Sequence, residues 1–350
     1  MTEVVALGGL GNAYWATGNY EQALASVAAS LKIARELSGG EALIVTALNN
    51  LGNVYGSRAD RYRYQANVAT IEGDEKEASR LNDLAQKDIA TAIASFEQSV
   101  QVATLAGKTN NIRIAQVKAL LNLNRLLGGM AAPNWDLIAN NRGRILSILA
   151  QLPDSRDKVY ALINLASARQ REQEAARLLG GEIASARNIN DARAESFALG
   201  SLGHLYEESR QYVEAMELTQ QAQFAAQKTL AADSLYRWQW QAGRIFKVTG
   251  DSPKGRSASR NRTRAIASYE SAIATLQSIR GDILVANKDL QFNFRDSVEP
   301  VYRELMGLLL ETGNEKETAN YQTNLSQTIK IITQVASYLF RAEDRLMANS

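Results

Sequence analysis

The chain has 350 residues, 39 Lys plus Arg against 37 Asp plus Glu, and a formal net charge of +2, so overall charge points to neither a nucleic acid nor a membrane surface. It contains no cysteine and one histidine, His204, which removes disulfides, thiolate nucleophiles and multi-histidine metal centres together. Four prolines, abundant Ala, Leu and Gln, and no alternating β-branched run predict helix nearly throughout. No apolar run reaches the ~18 residues that a membrane span needs. No basic region followed by an apolar core opens the sequence, so a cytoplasmic protein is expected.

Residues from about Val4 to Leu37 predict a first helical pair, with Leu7, Leu10, Gly11, Tyr14, Gly18, Tyr20, Ala23 and Ser30 at its key places. Gly18-Asn19 supplies the turn, and Ser38-Gly39-Gly40 stops the second helix. With nothing before it to form a cap, this pair is expected to expose its outer face, and the N-terminus is read as truncated. A second pair opens at ALNNLGNVY (Ala47–Tyr55) and closes on Ala92, Phe96 and Ser99. Gly11 and Ala23 are 12 apart, whereas Gly52 and Ala92 are 40 apart, and the 28 extra residues divide into two heptads per arm. Residues 57–87 are therefore predicted to be a lengthened helical hairpin, turning at Glu72-Gly73-Asp74, with Ala66, Ala69, Ala78, Leu81 and Leu84 facing inward.

Third and fourth pairs are predicted over 112–151 and 156–188, with Gly128-Gly129 and Pro133-Asn134 marking a longer connection. The clearest unit is ALGSLGHLYEESRQYVEAMELTQQA (Ala198–Ala222). Leu199, Leu202 and Tyr206 form one stripe, Gly203 admits a neighbouring helix, and Ala215 and Ala222 thin the partner's face one heptad apart. A sixth pair, 232–281, carries Trp240, Gly243, Phe246 and Gly250 on one helix and Ala265, Tyr269 and Ala272 on the other. Between them Ser252–Arg264 reads as an overlong basic loop holding Lys254, Arg256, Arg260, Arg262 and Arg264. It could touch phosphate, but no aromatic residue is interleaved for base stacking, so a solvated loop is the preferred reading and nucleic acid is not the expected partner. Pro300 lies near the start of a seventh pair at 297–325, and an amphipathic helix over 326–345 places Ile332, Val335, Ala336 and Leu339 together.

These small and aromatic positions resemble the tetratricopeptide repeat (TPR) superfamily over nearly the whole chain, with the longer connections of kinesin-light-chain-type repeats. The resemblance implies an all-α, right-handed superhelical solenoid spanning 1–350, whose repeats bury their stripes by stacking. A narrower likeness lies in Ala265–Ile283 and Leu290–Leu310, in Arg61–Ala78, and in the LPDS and VYALINLA phrases near Leu152 and Val159. These resemble the segment preceding the caspase-like domain of cyanobacterial CHAT proteins, a domain whose chemistry uses a His and a Cys. Here the sequence ends about 40 residues after the marker phrase and holds no Cys, so no catalytic dyad carries over.

In a TPR superhelix the concave groove is lined by positions three before and one after the repeat glycine. Those positions here give Asn12, Asn49, Asn53, Arg125, Ser167, His204, Trp240 and Arg244, and the position two before adds Asn50, Asn122, Asn164, Ser201 and Gln241. Each carboxamide offers a donor and an acceptor, which suits an extended peptide backbone. The same residues could instead bridge neighbouring helices, and for Asn50, Asn122 and Asn164 both readings stand. Gly8 occupies the place where a carboxylate clamp would carry Lys, which argues against capture of a chaperone tail. His204 lacks the nucleophile or second base that acid–base chemistry requires. The expected function is a non-enzymatic protein-interaction scaffold without a cofactor. The alternative from the CHAT likeness is a regulatory or substrate-recruiting arm for a caspase-like partner domain.

Overall fold

In the computed structural model the described residues are 1–16, 18–107, 109–166, 172–250, 256–279, 299–311, 313, 318–323 and 326. They contain helices and connections and no strand. The chain forms two compact units, Met1–Ala168 and Arg169–Ser350. The predicted final helix with Ile332, Val335, Ala336 and Leu339 lies outside the described residues, as do Ser167 and Lys254.

The first unit contains α1 (Thr2–Ala16), α2 (Tyr20–Glu36), α3 (Glu41–Glu72), α4 (Glu75–Ala106), α5 (Asn110–Gly128), α6 (Trp135–Leu149) and α7 (Arg156–Ala166). Its core is a row of small clusters, each shared between neighbouring helices. Tyr20 and Ala23 pack on Val54; Val27 and Leu31 pack on Ala47 and Leu48; Ala92 and Phe96 pack on Leu123 and Leu127. These clusters join one pair to the next, as the stacking of helical pairs requires.

The lengthened hairpin is present. Helices α3 and α4 run 32 residues each and meet at Gly73. Gly73 has φ +82°, Asp74 N donates to Ala69 O at 2.9 Å, and Gly73 N donates to Thr70 O at 3.2 Å, a left-handed stop that glycine permits without a Cβ clash. Asp74 then caps α4 by accepting from Glu77 N at 3.0 Å. Ala66, Ala69, Ala78 and Leu81 are buried along the arms, and Leu84 is half-buried. The two-heptad extension keeps these faces in phase.

The second unit contains α8 (Glu172–Asn188), α9 (Ala192–Glu208), α10 (Tyr212–Lys228), α11 (Ala232–Gly250), α12 (Arg256–Ser278) and α13 (Glu299–Glu311). One expectation is corrected here. From Arg256 onward the basic segment is the opening of α12 and not a loop. No Gly or Pro follows Gly255 before the apolar stripe Ala265–Tyr269–Ala272 begins, so nothing stops that helix from starting early.

Glycines on the first helices mark close approaches, at the repeat position in Gly52 and Gly243 and one turn before it in Gly200. A Cβ on Gly52 would lie 2.5 Å from the Phe96 ring, one on Gly200 would lie 2.3 Å from the Trp238 indole, and one on Gly243 would lie 2.9 Å from the Tyr269 ring. A polar tie recurs as well. In the first pair Ser30 Oγ donates to Val4 O at 2.8 Å, and in the second Ser99 Oγ donates to Val45 O at 2.9 Å. At the matching places of the α9–α10 pair the roles are exchanged: Ser196 on the first helix donates to Ala222 O on the second at 2.9 Å. The bond survives because a hydroxyl on either helix reaches the other's backbone across an alanine-thin contact.

Candidate functional site

Three helices of the second unit, α9, α11 and α13, bring polar side chains to one connected wall. Arg244 on α11 donates through Nε and Nη2 to the two carboxylate oxygens of Glu207 on α9, at 2.7 and 2.8 Å. This is the fork-on-carboxylate geometry that fixes both side chains at once. His204, one turn before Glu207, sets Nδ1 3.1 Å from Glu207 Oε2, with Glu208 3.6 Å from Nε2. The Arg244 guanidinium stacks 4.6 Å from the centroid of the Trp240 ring. Trp240 Nε1 donates to Glu304 Oε2 at 2.9 Å, and Tyr269 OH on α12 donates to the same oxygen at 2.7 Å.

Electrostatics follow from this packing. Burial pushes the Glu207 carboxyl up, but the bonds from His204 and Arg244 and the Arg244 charge outweigh it and hold the group below its ordinary value of 4.5. Burial, and then the Glu304 charge, drive the Tyr269 phenol well above its ordinary range, so it remains a donor. The side chains of Arg244 and Glu207 are 24% and 13% exposed, while His204 is half exposed at 50%. The wall therefore presents His204, the edge of the Trp240–Arg244 stack and carboxylate oxygens that are already oriented.

The structure thus joins His204, Trp240 and Arg244, and it separates Gln241 from them. Gln241 is 2% exposed and donates to Gly200 O at 3.2 Å and to Thr219 Oγ1 at 2.8 Å, which makes it a tie among α9, α10 and α11. Ser201 is half-buried beside them. In the first unit Asn122 Nδ2 donates to Asn49 Oδ1 at 3.1 Å, so this pair bridges α5 and α3. Asn50 is half-buried, and Asn53 holds a buried Oδ1 without a hydrogen-bond partner. Asn12, Arg125 and Asn164 are exposed. On α12, Arg260 and Arg264 are exposed and Arg262 is half-buried, while Arg256 is described by its backbone alone.

Glu207, Glu304 and Tyr269 were not among the predicted site residues. Glu207 lies three residues after His204 on the same helical face, which was a readable signal, but its bond to Arg244 spans 37 positions and is set by how α9 meets α11. A second ionic knot was also missed. In the first unit Arg58 donates through Nε and Nη2 to Asp88 at 2.7 and 2.8 Å, lies 3.8 Å from Glu21, and sits between the Tyr55 and Tyr62 rings at 5.4 and 5.8 Å. Asp88 is 4% exposed, so this knot serves the base of the long hairpin. Among the described residues no group of three His, Cys, Asp or Glu side chains could hold a metal ion, and no helix is long and apolar enough to cross a membrane.

The tetratricopeptide repeat family profile matches residues 2–63. No curated protein matches the chain. Among solved structures, BtubC (BKLC) from P. vanneervenii aligns at 13% identity and TM-score 0.50, over 72% of this chain and 92% of that one. A Rap protein complexed with competence and sporulation factor aligns at 12% identity and TM-score 0.43, with both chains covered in full. A signal transduction ATPase with numerous domains and a tetratricopeptide repeat sensor, from Pyrococcus horikoshii, aligns at 13% identity and TM-score 0.39, over 92% of this chain and 53% of that one. At such identities the likeness is one of fold. The described residues form helical pairs, and residues 2–63 match the tetratricopeptide repeat.

Proposed function

We propose that this protein is a non-enzymatic scaffold that binds a segment of another protein along the first helices of its pairs. The observation that carries the reading is the wall of the second unit, where Glu207 and Glu304 hold Arg244 and Trp240 in place while His204 remains open to solvent. Such a wall meets a ligand without further ordering of its long side chains, which lowers the entropic cost of binding. In the first unit Asn12, Arg125 and Asn164 are the solvent-facing members of the same sequence positions and supply separate contacts. Asn49, Asn122 and Gln241 act in cohesion between helices. Among the described residues the partners of His204 are the carboxylates of Glu207 and Glu208, and no nucleophile accompanies it.

The test is capture of binding proteins from a lysate by the full chain and by variants. Arg125→Ala, Asn164→Ala and His204→Ala remove exposed groups and are expected to leave helicity and melting unchanged while reducing capture. Undiminished capture by the triple variant would reject the first-helix surface. A second reading rests on the likeness of Ala265–Ile283 and Leu290–Leu310 to the segment before the CHAT caspase-like domain: the bound partner would be such a protease domain, and this chain its recruiting arm. Capture with no caspase-like protein among the bound fraction would set that reading aside and leave the scaffold reading standing.

A further inference from the structure

Helices α10 and α12 both pack on α11 and leave between them a groove of about 520 Å³. The wall from α10 carries Gln220 and Gln227, both exposed, and the facing wall from α12 carries Ser268 and Ser271. Two more glutamines lie deeper, and each uses one end of its amide. Gln223 Nε2 donates to Trp238 O at 2.9 Å, and Gln239 Oε1 accepts from Thr275 Oγ1 at 2.7 Å. The first bond fixes Gln223 against α11, the second fixes Gln239 of α11 against α12, and together they leave Gln223 Oε1 and Gln239 Nε2 for whatever enters. The groove therefore offers a fixed acceptor and a fixed donor, which is the pair that an extended main chain presents in complement through its N–H and C=O groups.

One charged residue lines this groove, Arg264. Its guanidinium lies 5.6 Å from the centroid of the Phe246 ring, and among the described residues no carboxylate pairs with it. Arg193, by contrast, lies over Phe197 but is also paired with Asp233. A cation oriented by an aromatic face and left without a counter-ion selects an anionic group. The one positive charge that lines the groove, with its aromatic face already covered, supplies neither a row of phosphate contacts along it nor a free ring for base stacking.

We propose that the α10–α12 groove is a second binding site, distinct from the wall on α9, α11 and α13, and that it takes an extended peptide segment with an acidic side chain placed at Arg264. The probes are two pools of random nonapeptides, identical except that one fixes Glu and the other Gln at the centre, offered to the immobilised full chain at 0.15 M salt. The Glu pool should be retained about tenfold better than the Gln pool, the ratio a single charge-assisted bond supports. Arg264→Gln should bring the two pools to equality, with an unchanged melting curve because the side chain is exposed. His204→Ala, on the other wall, should leave the preference intact. Equal retention of both pools by the unaltered chain, retention of neither, a preference that survives Arg264→Gln, or one that disappears in His204→Ala would each overturn the assignment.

Discussion

Removing Arg244 tests how the wall is held together. In Arg244→Ala, Glu207, whose side chain is 13% exposed in the parent, loses both guanidinium bonds and is left with His204, whose Nδ1 lies 3.1 Å away in the parent. A fully exposed pair contributes ~0–1 kcal/mol and the loss of one member of a buried pair costs ~3–5 kcal/mol, so this intermediate case should cost about 2 kcal/mol. Loss of the stack on Trp240 adds roughly 0.5–1 kcal/mol. Much of the penalty comes from the stranded carboxylate and not from the missing bond itself. Glu207→Gln in the same chain should therefore recover about half of it, because a neutral amide is cheaper to leave without its fork. Urea unfolding followed by tryptophan emission and far-ultraviolet dichroism reads both variants. A single variant within about 0.5 kcal/mol of the parent, or a double variant as unstable as the single, would refute the reasoning.

Four further outcomes follow. The folded-state pKa of Glu207 is depressed below 4.5, so its contribution is present above that value and lost as pH falls through the depressed one; between pH 6 and the acid limb the parent should lose more stability than Glu207→Gln, measured as urea midpoints against pH. Gly200→Ala forces a methyl to within 2.3 Å of Trp238 and should cost ~1–3 kcal/mol, whereas Gly9→Ala, with nothing within 4 Å, should gain ~0.5–1 kcal/mol by thermal melting. Leu230 has φ +52° and is 90% exposed, so Leu230→Asn should raise the melting temperature by relieving about 1 kcal/mol of left-handed strain. Ser196→Ala strips the partner from Trp238 Nε1, 2.9 Å away, and from Ala222 O, and should cost about 1–3 kcal/mol in the same assay.

What the sequence disclosed was whatever repeats. Gly52, Gly203 and Gly243 were readable as close-approach points because each sits within the apolar stripe of a first helix and is followed by a second helix thinned by alanines. The length of the α3–α4 hairpin was readable because an insertion of whole heptads preserves the stripe. Pairings between helices were not. Nothing local says that Glu207 will meet Arg244, or that Glu304 will accept from both Trp240 and Tyr269. The carboxamide row divided for the same reason: Asn49 and Asn122 meet across two helices and satisfy each other, Gln241 turns inward to Thr219, and Asn12 and Asn164 remain in solvent. Residue type fixed what these side chains could bond, and helix packing decided which partner each received. The start of α12 escaped notice because basic residues at a helix N-terminus oppose its dipole and read as loop, whereas the apolar stripe that follows outweighs them.

The most direct measurement places a photo-crosslinking amino acid at His204, on the wall, and at Arg177, an exposed position on α8, in separate full-length chains exposed to the same lysate. Cross-linking from position 204 to a defined partner protein, with little from position 177, is the expected result. Equal yields from both positions, or products from 177 alone, would contradict the assignment of the α9–α11–α13 wall as the docking surface.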